Sequence, residues 1–209
     1  GDFLSGPILP ALVRFAFPLM LSLLLQAFYG GADLAVVGQF SQSESVSAVA
    51  TGSQAMQAIT ALITGLTMGV TVLLGKAMGA KDFKNAGQVV SGQIKLFTAM
   101  AVALTVIMLF FAPHIAVLLN VPDAAHAETI RYIRICSAGI IFITAYNGIS
   151  GIFRGIGNSR SPFLFVLIAC IINVFLDLLF VGVFKMNASG AALATIMAQA
   201  CSVVFSVCY

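Results

Sequence analysis

Three observations predict an all-α integral membrane protein, a single bundle of six transmembrane helices. Of 209 residues, 60% are hydrophobic and 8% are charged, with mean hydropathy +1.07. Soluble domains carry about 25% charged residues. The apolar residues form long runs rather than the alternating pattern of barrel strands. Polar connections holding Gly, Pro, Lys and Arg separate these runs, which cover 12–38, 46–74, 89–111, 129–152, 163–184 and 188–209. Each run is long enough to cross a bilayer, and the first two are long enough to tilt or project. Every span must be helical, because lipid offers no partner to a free backbone N–H or C=O.

Composition also excludes several classes. The net charge of +3 is small, and the basic residues sit between apolar runs, which speaks for membrane orientation and against nucleic acid. Cys136, Cys170, Cys201 and Cys208 lie within apolar segments with no CxxC pair, as core cysteines do. His114 and His126 stand alone in one connection, so no transition-metal site and no organic cofactor is expected. The first run lacks a basic flank and a small-residue cleavage site and is taken as a span, not a leader.

The connections set an orientation. Lys76, Lys81, Lys84, Lys95, Arg14, Arg154 and Arg160 fall on one side, seven against Arg131, Arg134 and Lys185 on the other. The positive-inside rule puts the N-terminus in the cytoplasm of a cell with an inner or plasma membrane location. Glu128, Arg131 and Arg134 are spaced to pair at the outer interface.

Span one carries Pro18, Ser22, Gln26, Tyr29 and Asp33, spaced four, four, three and four, hence one polar stripe on a helix. A membrane carboxylate wants water, a partner or a proton. Pro18 removes a helical hydrogen bond and predicts a kink, either a moving part or the ordinary proline of a membrane helix. Span two carries Ser53, Gln57, Thr60, Thr64, Thr67 and Thr71 in a second stripe, expected to be a wetted face more than interhelical glue. Gly65 with Gly69, and Gly75 with Gly79, are expected to mark close helix packing. Span three ends near Pro113, and the stretch up to Pro122 reads as a short interfacial helix.

Span four has Tyr132 and Asn147, with Gly148, Gly151 and Gly155 expected to pack closely. Span five has Asn173 and Asp177 one turn apart, a neutral and an anionic oxygen that suit a monovalent cation or a held proton. Span six adds Thr195, Gln199, Ser202 and Ser206 at helical spacing. At about 1.5 Å per residue, Asp33, Asp177 and Thr195 fall at nearly the same depth, in the outer half of the bilayer. Nothing in composition forces that agreement. Two carboxylates sharing a low-dielectric site repel, so one of them is expected to hold a proton or a cation.

Pro18 with the GGADLAVVGQF run, the RGIGNSRSP connection, the INVFLDLLFV stretch and the GAALATIMAQ opening of span six together resemble the multidrug and toxic compound extrusion (MATE) transporters. The resemblance covers essentially the whole chain. It implies two six-helix lobes, of which this chain resembles the N-terminal one without its C-terminal partner. It implies inward sodium or proton movement coupled to export of amphipathic, often cationic compounds across a lipid membrane, with no enzymatic step. It implies a cation or proton site of Asp33, Asn173, Asp177 and Thr195, supported by Tyr29, Tyr132 and Asn147, and a kink at Pro18. Gln26, Tyr29 and Asn147 read equally as drug-cavity lining or as helix glue. Two rivals remain on the sequence. A lipid-linked precursor flippase would need a cationic cavity, whereas the polar stripes hold no Lys or Arg. An intramembrane aspartyl protease would need the two carboxylates in contact, and no GxGD motif is present.

Overall fold

The computed structural model describes residues 8–209, and these are helical throughout apart from short turns. The long helices are α1 (Ile8–Phe40), α2 (Ser43–Gly79) and α3 (Phe83–Leu118). At 33, 37 and 36 residues they span about 50–55 Å. Each therefore outruns a hydrocarbon core of about 30 Å and projects beyond it. Next come α4 (Asp123–Ala138), α5 (Ile140–Gly155), α6 (Arg160–Asp177), a π-helix over Leu178–Val183, and α7 (Asn187–Cys208). Five segments are long and apolar enough to span a membrane, and α4 with α5 make a sixth, broken span. The predicted six-helix membrane bundle is what the chain builds.

Local chemistry explains the boundaries. α2 ends where Lys81 takes a left-handed φ of 57°, with Asp82 N–H donating to Ala77 O at 2.9 Å and Lys81 N–H to Met78 O at 3.1 Å. α3 closes in the same way at Asn120 (φ 51°), and α5 at Gly157 (φ 83°). These paired bonds give the last carbonyls of each helix a donor. Asp82 then caps α3 by accepting from Asn85 N–H at 3.0 Å. Asn158 caps α6, its Oδ1 accepting from the backbone N–H of Arg160 (3.1 Å) and Ser161 (3.2 Å). The RGIGNSRSP connection is thus a left-handed helix stop followed directly by a helix start.

Four sequence expectations change. First, span four is not one helix: α4 and α5 meet at 48° at Gly139. The α5 side packs so close to α7 that a Cβ on Gly139 would lie 2.5 Å from Ile196 Cγ1. Second, no separate interfacial helix follows Pro113, because α3 runs through it to Leu118. Pro113 forfeits one helical bond, while Ala112 and Ala116 on either side are wholly buried and hold the helix in place. Third, Gly65, Gly69 and Gly79 pack against nothing within 4 Å among the described residues, and a Cβ on Gly75 would meet only Gly155 O, at 3.5 Å. Fourth, Glu128 turns Oε2 inward, where it makes no hydrogen bond. Arg131 and Arg134 are exposed, so that oxygen does not form the expected pair. α1 itself continues unbroken through Pro18, and Ser22 Oγ donates to the Pro18 carbonyl at 2.8 Å.

The glycines of α5 pack as expected. A Cβ on Gly148 would meet Gln93 and Phe97 of α3, and one on Gly155 would stand 3.0 Å from Leu74 Cβ of α2. Close approach lets polar groups lock the helices together. Gln93 Nε2 donates to Gly148 O at 2.9 Å, and Thr71 Oγ1 to Gly151 O at 3.1 Å. Each is a bond made where lipid supplies no competitor. α1 packs chiefly on α6, α2 on α4 and α5, and α6 on α7. That arrangement brings Asp33 of α1 beside the polar turn of α6.

Candidate functional site

Asp33, Asn173, Asp177 and Thr195 come from three helices and meet. Asp33 is 3% exposed, and Asn173 and Asp177 are fully buried. Thr195 Oγ1 lies 3.1 Å from Asp33 Oδ2 and 2.9 Å from Ala191 O, so one hydroxyl proton faces two acceptors. Tyr29 OH donates to the Thr195 carbonyl at 3.2 Å, fixing α1 against α7 one turn from Asp33. The Asp33 carboxyl also faces the side chains of Asp177 and Asn173.

The π-helix starts directly after Asp177. Such turns widen the backbone and recur at functional sites. Here Phe184 N–H reaches Leu179 O at 2.9 Å. Gly190 lets α7 start against that turn, since a Cβ there would lie 3.2 Å from the Phe180 carbonyl carbon. The close start of α7 is what brings Thr195, further along the helix, up to Asp33.

The polar accounting at this spot is unusual. Asp33 Oδ1, both carboxyl oxygens of Asp177 and both side-chain heteroatoms of Asn173 are buried without a hydrogen bond. Native interiors pair the large majority of such atoms, and an unpaired buried carboxylate is costly. Five orphaned polar atoms in one cluster form a set rich in oxygen, three of them from two ionisable carboxyl groups. Its chemistry suits one hard monovalent cation or a shared proton.

A cavity of about 440 Å³ opens beside the cluster. Polar side chains reach it from α1 (Gln26, Tyr29, Asp33), α2 (Ser53, Gln57, Thr60), α4 (Tyr132), α5 (Tyr146, Asn147) and α7 (Thr195, Gln199), while Met56, Cys136, Ile143, Ile196 and, from α6, Val166 and Ala169 make its apolar wall. Asp33 is the one charged group among the described lining residues, whereas Asn173 and Asp177 stand behind the wall. Asp33 therefore faces the cavity on one side and the buried cluster on the other. The lining brings together every supporting residue named from the sequence: Gln26, Tyr29, Tyr132 and Asn147. Asn147 has a packing role as well, accepting from Thr64 Oγ1 at 3.3 Å and donating to Ile143 O at 2.8 Å.

The second polar stripe divides. Ser53, Gln57 and Thr60 line the cavity, and Ser53 shares a hydrogen bond of 3.0 Å with Tyr132 OH. Thr64, Thr67 and Thr71 bond instead to α5 or to their own helix. Cavity lining and interhelical glue are thus two halves of one stripe. Tyr146 and Cys136 were not singled out from the sequence as cavity residues. Cys136 was detectable as one turn after Tyr132, while Tyr146 depended on the break at Gly139. The π-helix carried no local signal.

Fold and site together are those of an all-helical membrane bundle with a buried carboxylate cluster beside a cavity. The MatE family model matches residues 18–179, and the chain belongs to that family. It is 28% identical over 208 residues to the probable multidrug resistance protein YpnP of Bacillus subtilis (strain 168), covering 100% of this chain and 47% of YpnP. It superposes with TM-score 0.91 and 27% identity on an outward-facing multidrug resistance MATE family transporter of the MOP superfamily, covering 99% of this chain and 46% of that one. A MOP superfamily transporter from Pyrococcus furiosus Vc1 (DSM3638), described by the reverse polarity of its binding pocket, matches with TM-score 0.91 and 27% identity over 99% of this chain and 45% of that one. The chain spans about half the length of the curated relatives it matches.

Proposed function

We propose that this chain is the cation-binding lobe of a multidrug efflux antiporter driven by sodium or protons. The carrying observation is the double exposure of Asp33, which lines the cavity and also belongs to the buried cluster with Asn173, Asp177 and Thr195. A coupling cation or proton held by the cluster and an organic cation held in the cavity compete for the same carboxylate. Occupancy is then mutually exclusive, and the coupling can be no larger than the difference in cation affinity between the two states. Multidrug relatives over the whole chain support the substrate class of amphipathic, often cationic compounds.

Transport needs a second bundle against which this one rocks, so a second lobe is the expected partner. Clustering of the basic residues at one end supports a cytoplasmic N-terminus in a plasma membrane. A flippase for polyanionic lipid precursors is not favoured, since no described lining residue is Lys or Arg. An aspartyl protease is not favoured either, because Asp177 is fully buried behind the wall and out of a peptide's reach.

The test is thermal melting of the chain in detergent with sodium against potassium at fixed ionic strength, repeated across pH. Binding to the folded state raises the melting temperature. Sodium should stabilise the wild type and leave Asp33→Asn and Asp177→Asn unmoved. A pH response lost in the same two variants, with no sodium effect, would identify protons as the coupling ion. Variants that respond as the wild type does would overturn the site.

A further inference from the structure

A second concavity, about 630 Å³, lies far from Asp33 at the opposite end of α1, against the start of α6. Leu9, Pro10, Val13, Phe17 and Pro18 of α1 form its apolar wall, with Arg14 of α1 and Arg160 of α6 beside them. Leu9, Val13 and Phe17 recur at one-turn spacing and are 72%, 57% and 61% exposed. They form a continuous strip along the helix. Both arginines are exposed, and neither guanidinium has a hydrogen-bond or ion-pair partner among the described residues. No acidic residue lines the groove among the described residues.

The backbone at this spot is already satisfied. Asn158 occupies the first N–H groups of α6, so the helix terminus is not the anion receptor. The charge, without a partner among the described residues, is carried by two side chains from different helices. Pro18 also denies the Arg14 carbonyl its helical donor, leaving an acceptor at the same turn. The groove thus joins two cationic forks to an apolar track that runs into the bilayer.

We propose that this groove binds one anionic phospholipid. Its phosphate sits between Arg14 and Arg160, where planar guanidinium groups match phosphate oxygens in pairs. An acyl chain follows Leu9, Val13 and Phe17. Free phosphate would leave the apolar strip unused, and a zwitterionic headgroup would bring its own cation against the arginines. The position fits the source, since Lys76, Lys81, Lys84 and Arg154 sit at the same end of the bundle. Basic residues mark the leaflet that is rich in anionic lipid.

The experiment delipidates the protein and measures lipid retention by native mass spectrometry, together with melting temperature in detergent doped with phosphatidylglycerol, phosphatidylcholine or inorganic phosphate. Phosphatidylglycerol should be retained at one molecule per chain and should stabilise; the other two should not. Arg14→Gln and Arg160→Gln should each weaken retention about 5-fold, and the double variant about 30-fold, at roughly one surface-charge interaction per arginine. Lys81→Gln with Lys84→Gln removes equal charge outside the groove and should leave retention unchanged. Equal weakening by both pairs would reduce the effect to diffuse surface charge and overturn the site. Stabilisation by inorganic phosphate alone, or no preference for phosphatidylglycerol, would overturn it too. If the double variant does not fold, the two single variants decide through retention.

Discussion

Gly52 on α2 lies against the ring of Tyr132 on α4, so a single methyl group tests how tightly the cavity wall is built. A Cβ there would overlap Cδ1 of the ring and stand 3.0 Å from Cε1 and 3.2 Å from Cγ. The ring is 3% exposed, and its hydroxyl is tied to Ser53 at 3.0 Å. To give way, the ring must shift toward the cavity that it lines, which strains the Ser53 bond. Overpacking of this kind costs about 1–3 kcal/mol, and breaking the Ser53 bond adds about 1 kcal/mol. Better helix propensity returns about 1 kcal/mol. The net loss for Gly52→Ala is about 2 kcal/mol, or about 4–8 °C in melting temperature for a domain of this size. Gly65→Ala is the control on the same helix, because nothing lies within 4 Å of its Cβ. It should melt at or slightly above wild type. Melting curves of both variants in one detergent read the difference directly. If Gly52→Ala melts with Gly65→Ala, the α2–α4 contact is looser than the geometry states and the reasoning fails.

Thr195→Val keeps the side-chain shape but removes the hydroxyl that faces Asp33 at 3.1 Å. Hydrogen bonds to charged groups contribute about 1.5–3 kcal/mol. The variant should weaken cation binding at least about 10-fold in a sodium titration of melting temperature, and an unchanged titration would remove Thr195 from the site. Gly139→Ala places a Cβ 2.5 Å from Ile196 Cγ1 and 3.0 Å from Cδ1, at an overpacking cost of about 1–3 kcal/mol. Adding Ile196→Ala should recover part of that loss, with a coupling of at least about 0.5 kcal/mol in the double-mutant cycle. Strict additivity would show that the break does not press α5 onto α7.

The legible part of the site shares one property: its residues repeat at helical spacing inside apolar runs. Asp33 with Tyr29, and Asn173 with Asp177, are neighbours by the 3.6-residue period alone. Their meeting across helices could be anticipated only as a shared depth, because spacing fixes height along a span but not which spans touch. Ser53, Gln57 and Thr60 were visible as a stripe for the same reason. Its division into cavity lining and glue was not, since that depends on where α5 crosses α2. Tyr146 was hidden because the 48° break at Gly139 resets the face that α5 presents.

The sequence by itself determined the environment, the number of spans and the polar face of each helix. Bilayer thickness and backbone hydrogen bonding leave a long apolar run no other structure. Tertiary structure alone decided that α3 passes through Pro113, that span four breaks at Gly139, and that a π-helix follows Asp177. Each is a local cost whose compensation lies in packing between segments: the burial of Ala112 and Ala116, the approach of Ile196, and the close passage of Gly190 by the π-helix. It alone also placed Asp33 between cavity and cluster. That placement arises from the packing of α1 on α6 and α7, a relation between distant segments that no local period encodes.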